Sequence, residues 1–125
     1  MSIQEIDNGS PSIPAGGTDT LAGGRSNDRI GTELHLETDG MRIWHLRLKP
    51  GQRIPYHRHD RPYFWSVTTD GKGRSHFDDG RIVDIDYKKG ESKYFNDLSA
   101  ENIFVHDLTN IGDAELVFVT VEFNR

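Results

Sequence analysis

Residues 51–59 read Gly51-Gln52-Arg53-Ile54-Pro55-Tyr56-His57-Arg58-His59. Gly51 completes the turn Lys49-Pro50-Gly51, and Ile54–His59 has the composition of a short β-strand. Side chains alternate along a strand, so His57 and His59 project to one face, with Tyr56 and Arg58 on the other. Two neutral imidazoles on one face can chelate a divalent metal. A His-x-His pair is more often two ordinary polar residues, so its meaning depends on what else the chain places beside it.

Outward from this stretch the pattern stays β. The expected strands are Leu34–Thr38, Met41–Leu48, Ile54–His59, Tyr63–Thr69, Ser75–Phe77, Ile82–Tyr87, Ser92–Phe95, Asn102–Thr109 and Glu115–Phe123. They are separated by turn residues such as Asp39-Gly40, Asp78-Asp79-Gly80 and Lys88-Lys89-Gly90. No long 3.6-residue stripe is present, and only Asp97–Asn102 reads as a short helical turn. The fold class is therefore all-β, a sandwich or barrel of antiparallel strands. Parity puts Val117, Val119, Val121 and Phe123 on one face, read as inward. It sets Val83, Ile85 and Tyr87 against Asp84 and Asp86. Residues 1–30 differ: Ser10–Asp28 is rich in Gly, Ser, Pro, Thr and Asp and poor in large apolar groups, so a flexible N-terminal arm is expected ahead of a domain over residues 31–125.

His106 strengthens the histidine reading. In Ile103-Phe104-Val105-His106-Asp107-Leu108 it shares parity with Phe104 and Leu108. An imidazole on an apolar inward face needs a partner. Either a hydrogen-bonding neighbour or a metal shared with His57 and His59 would serve.

These two anchors make the chain resemble the cupins. The first cupin motif sets a Gly five residues before a His-x-His pair and a Glu three or four residues after it; Gly51, His57 and His59 match, and the Glu falls on Tyr63 or Phe64. The second motif ends in His, three residues and Asn, which His106-Asp107-Leu108-Thr109-Asn110-Ile111-Gly112-Asp113 reproduces. The upstream Pro-x-Gly element is missing, and Gly90 lies sixteen residues before His106, so an insertion precedes this strand. Arg61-Pro62-Tyr63-Phe64-Trp65 is also similar to a subgroup of small bacterial cupins labelled β-alanine degradation proteins.

The resemblance implies a cupin-type double-stranded β-helix, a jelly-roll barrel with one divalent transition metal inside (Fe, Mn, Zn or Ni) on His57, His59 and His106. It also implies a homodimer. Without the motif's glutamate, three neutral imidazoles would leave the ion its full 2+ charge and open positions, which suits oxygen-rich anionic ligands such as carboxylates or dicarbonyls. Glu101 and Asp97, in the inserted segment, are candidates to replace the lost carboxylate. Tyr63 is the candidate catalytic polar group. Phe64 and Trp65 are candidate walls of a substrate pocket, and Arg53 is the candidate clamp for a substrate carboxylate. The functional expectation is a metal-dependent enzyme acting on a small substrate: a dioxygenase if the metal is iron, a lyase or isomerase otherwise. The alternative is a non-catalytic binding or sensing module. His35, His45 and His76 are read as exterior, and Asn110 as a turn former.

Composition narrows the classes. With 125 residues the chain supports one core. Its 15 Lys and Arg against 20 Asp and Glu give a net charge of −5, the wrong field for nucleic acid. It has no cysteine, which excludes disulfides and thiolate metal sites and suits a cytoplasmic setting. No apolar stretch is long enough to span a bilayer, and no secretory leader is expected from the acidic N-terminus.

Overall fold

The computed structural model describes residues 2–6 and 19–124. In chain order the strands are β1 (Ser2–Ile6), β2 (Glu33–Glu37), β3 (Met41–Leu48), β4 (Arg53–His59), β5 (Tyr63–Val67), β6 (Gly71–His76), β7 (Ile82–Tyr87), β8 (Ser92–Phe95), β9 (Phe104–Asn110) and β10 (Leu116–Phe123). A four-residue helix, α1 (Leu21–Gly24), precedes β2. One sheet has the order β1-β7-β6-β9-β4, the other β2-β3-β10-β5-β8, and all neighbours are antiparallel. From β3 onward the chain crosses from sheet to sheet at nearly every connection, which closes a jelly-roll barrel.

The turns fall where the sequence punctuates them. Gly51 and Gly90 have φ near +82° and +90°, values that a side chain would resist. Asn110 does shape its turn. Its amide donates to the Leu48 and Ala114 carbonyls at 2.8 Å each, and its Oδ1 accepts from Gly112 N–H at 2.9 Å. Between the sheets, Leu46, Leu48, Ile54, Val67, Tyr87, Leu108, Leu116 and Phe118 form the core. Burying side chains of this kind contributes roughly 1.5–3 kcal/mol each before entropy is counted.

Two expectations need correction, the facing of β10 and the exposure of His76. In β10 the inward row is Leu116, Phe118, Thr120 and Glu122, all buried, whereas Val119, Val121 and Phe123 form a half-buried outer row. Thr120 and Glu122 disguise that inward face; the Glu122 carboxylate is buried because Arg42 pairs with it. The short turn expected at Asp97–Asn102 is a single helical turn within a loop: the Ser99 carbonyl accepts Asn102 N–H at 2.8 Å and Ile103 N–H at 3.1 Å, and Asp97 Oδ1 accepts Ser99 N–H at 3.0 Å. His76 is buried rather than exterior, since Asp107 accepts from its backbone N–H at 2.6 Å and contacts its ring Nδ1 at 3.1 Å.

Of residues 1–30, those numbered 7–18 lie outside the described residues. Ser2–Ile6 pairs with β7 as an added edge strand. After Asp19, α1 packs against β4 and β9 with Gly24 buried, and Ile30, also buried, reaches the cavity that holds the histidines. The segment's polarity is what holds it there. Asp19 Oδ1 accepts Tyr56 N–H at 3.0 Å, Asn27 Nδ2 donates to the Tyr56 carbonyl at 2.9 Å, and the Asn27 carbonyl accepts Arg58 N–H at 2.7 Å. β4 ends its sheet, so these bonds cap a free edge. At Gly24 an added Cβ would sit 2.6 Å from Tyr56 Cβ and 2.8 Å from Val105 Cγ1. Gly24→Ala is therefore expected to lower the unfolding free energy by about 1–3 kcal/mol in urea titrations. A variant as stable as the parent would mean that this segment is not docked.

Candidate metal centre

Ile54 and His57 both face the barrel interior, although three residues apart they belong to opposite parities of a regular strand. The ladder resolves this. Ile54 pairs with Leu108 and His57 with His106, so β4 spends three steps where β9 spends two. A β-bulge at Pro55–Tyr56 absorbs the extra residue and turns His57 and His59 inward. Proline suits the bulge because it has no N–H to satisfy. Its carbonyl lies 2.7 Å from His57 Nδ1 and accepts that N–H, leaving Nε2 with the free lone pair.

The three predicted ligands converge. Ring centroids lie 4.9 Å apart for His57–His59, 4.7 Å for His57–His106 and 5.0 Å for His59–His106. The Nε2 atoms of His59 and His106 are 3.1 Å apart, and one nitrogen from each of the three rings lies within 4.8 Å of the others. Burial lowers all three pKa values. It brings His57 to about 4, and it takes His59 and His106 well below the usual histidine range, with neighbouring imidazoles adding to the effect. All three are neutral near pH 7, the form that ligates. The Nδ1 atoms of His59 and His106 are buried without a hydrogen-bond partner, an arrangement with a cost of roughly 1–3 kcal/mol per group. A nitrogen-only, neutral, convergent donor set fits a borderline divalent transition ion.

No carboxylate joins this group among the described residues. Asp97 and Glu101 line the rim of the cavity instead. Tyr63 takes the place of the missing glutamate but does not replace its charge. Burial raises its phenol well above the ordinary range, and its ring is stacked between His59, at 4.2 Å, and Phe95, at 4.6 Å. It is a neutral wall of the site.

The cavity above the imidazoles measures about 760 Å³. Trp65, Phe77, Phe95 and Phe104 give it an apolar wall, and Leu98, 6% exposed, comes down from the inserted loop. Two of the residues expected to bind substrate lie elsewhere. Phe64 points to the other side of β5, toward Phe123, and does not line this cavity. Arg53 sits on the outside of the barrel, where Asp107 accepts from its Nε at 2.7 Å and Asp19 from its Nη1. The cationic groups that do line the cavity are Arg81 and Lys93. Arg81 is held by Asp79 at 2.7 Å, and Lys93 Nζ lies 4.9 Å from the centre of the Phe95 ring. Parity within Ser92–Phe95 could have found Lys93, because it shares a face with Phe95 while Tyr94 points out, 62% exposed.

No protein-family model matches the chain, and no curated protein matches it. Solved structures do. A cupin domain from Bordetella pertussis Tohama I superposes with a TM-score of 0.64 at 22% identity, covering 81% of this chain and 98% of that one. A protein with a double-stranded β-helix domain from Klebsiella pneumoniae gives 0.57 at 20% identity, over 83% and 86% of the two chains. An RmlC-like cupin family protein from Methanocaldococcus jannaschii gives 0.55 at 19%, over 77% and 84%. At these identities the likeness shows the fold, and it is the fold expected from the two histidine motifs. Among the described residues no helix is long and apolar enough to cross a membrane.

The burial of the three rings sets how stability responds to pH. Unfolded imidazoles take up protons as pH falls through about 6.5, whereas His57 in the folded chain stays neutral down to about 4 and its two neighbours lie well below 6.5. The unfolded state then binds more protons, so stability rises with pH across this window. The melting temperature in EDTA should be level above about pH 7 and fall between 6.5 and 4, less steeply in His57→Gln; a flat profile would contradict a buried neutral triad. Separately, Asp19→Ala removes the acceptor for the bulge amide of Tyr56. Isothermal titration with Zn2+ should show a loss of affinity of up to about tenfold, the lower end for groups that touch a ligand directly, since Asp19 holds only the backbone beside His57.

Proposed function

We propose that this cupin-type barrel is a metal-dependent enzyme that holds one divalent transition ion on His57, His59 and His106 and acts on a small, oxygen-rich carboxylate or dicarbonyl substrate. The observation that carries this reading is the meeting of three neutral imidazoles, from two neighbouring strands, at the floor of a 760 Å³ cavity. Such an ion, when bound, supplies Lewis-acid polarisation of substrate oxygens, or dioxygen chemistry if it is iron.

The chain's own residues prepare the rest. Lys93 and Arg81 are the cations at the cavity, but Asp79 holds Arg81 and Asp78, Asp97 and Glu101 line the same cavity, so the charge that would meet an anionic substrate is chiefly that of the ion, with Lys93 beside it. The aromatic wall excludes water and strengthens those charge interactions. Tyr63, protonated at neutral pH, presents a hydroxyl that donates a hydrogen bond and does not act as a base. Three imidazoles without a carboxylate favour a substrate that carries negative charge itself.

Elemental analysis of untagged protein, purified without chelators, tests the centre. His106→Ala is expected to lose one equivalent of transition metal per chain relative to the parent, and EDTA is expected to lower the parent's melting temperature. Turnover of a carboxylate or dicarbonyl panel should then depend on that metal, and oxygen uptake separates the oxygenase branch from lyase or isomerase chemistry. Protein free of metal, with the same melting temperature with and without EDTA, would leave a binding module.

A further inference from the structure

A second nitrogen-rich cluster lies on the outer face of the β2–β3 pair, away from the barrel interior. Glu33 and His45 oppose each other across this ladder. Between Leu34 and Leu36 the register slips, and the bulge brings His35 beside His45. His45 Nδ1 and His35 Nε2 lie 2.5 Å apart, with the rings edge to face. Two lone pairs cannot meet at that distance without a proton or a cation between them. Glu33 Oε2 is 3.6 Å from the same His35 nitrogen, while its Oε1 lies 3.3 Å from Arg47 Nε, which orients the carboxylate. One ligand atom from each of Glu33, His35 and His45 lies within 4.8 Å of the others.

From this geometry we propose that Glu33, His35 and His45 form a surface site for a borderline divalent transition cation, with Zn2+ as the probe, that pins β2 to β3. Two imidazoles and one carboxylate are a common set for such an ion and leave one position for solvent. Two nitrogens bound at ~2.0–2.1 Å to one ion stand roughly 3.0–3.4 Å apart, so the pair, now 2.5 Å apart, would have to open by about half to one ångström to admit it. His35 is exposed and His45 half-buried, so solvent reaches the pair. The strand has reason to need the link. β2 ends its sheet and all five of its residues are exposed, Leu34 and Leu36 included. Little packing holds it, and edge strands of this kind open locally. An ion bound to both strands in the folded chain alone would suppress that opening.

The test uses untagged, chelator-stripped full-length protein titrated with Zn2+. The parent should bind one more ion per chain than His45→Ala, and Glu33→Gln should weaken that same site about tenfold. Zn2+ should slow amide hydrogen exchange in β2 of the parent and of His106→Ala, but not of His45→Ala. The same stoichiometry and the same β2 exchange in parent and His45→Ala would overturn the proposal. A parent that binds one ion, lost in His106→Ala and kept in His45→Ala, would also overturn it. A single ion lost in His45→Ala but kept in His106→Ala would support this site and count against the barrel centre. Glu33 lies on the exposed edge strand and His45 on the outer face of β3, both away from the core, so the outcome does not hinge on whether His106→Ala folds.

Discussion

One residue too many in β4 is the constraint on which the interior depends. Regular pleating would send Ile54 and His57 to opposite faces, yet the first belongs to the core and the second to the site. The bulge at Pro55–Tyr56 reconciles them, and its parts are then used in turn. Pro55 brings no orphan N–H, and its carbonyl sets the His57 ring. The backbone groups of Tyr56 are met by Asp19 and Asn27. The segment ahead of the barrel is thus bound to the strand that carries two of the three imidazoles, through hydrogen bonds more than through apolar burial.

Polar burial of this kind is unusual in so small a core, and the barrel offsets it in separate places. Inside, Glu122 is matched by Arg42. Outside, Asp107 is fully buried, but it accepts from Arg53 and from the His76 amide. His59 and His106, by contrast, keep ring nitrogens that no side chain meets. Trp44 Nε1, Arg53 Nη2 and the Tyr56 hydroxyl are buried without partners as well, so what points to binding at the triad is the convergence of its three rings on one spot.

Much of this was legible in the chain. Glycines after short charged or Pro-containing runs located the turns, and alternation located the strands. The two histidine motifs found the three converging imidazoles, because a spacing of two puts His57 and His59 on one face and parity puts His106 with Phe104 and Leu108. What stayed hidden depended on pairing across the fold. Thr120 and Glu122 look like an outer face unless Arg42 is known to lie opposite. Arg53 looks like a free clamp unless Asp107 and Asp19 are known to hold it. His76 looks exterior for the same reason. The stretch Asp19–Ile30 looks too polar to pack, and composition cannot show that its polar groups meet the free edge of β4.

The facing of His57 and His59 is set by a count of residues, so a β4 shorter by one would reach it too. With one residue between Ile54 and the first histidine, two steps would run against two in β9, and plain alternation would still turn both rings inward. The surplus residue is therefore spent on attachment. It is what frees a carbonyl to fix the tautomer of His57 and a backbone pair to receive Asp19 and Asn27. A shortened strand would keep the donors aimed at one point while uncoupling them from the chain's leading segment. Convergence and tethering are thus separable properties of this barrel, and the bulge is the joint between them.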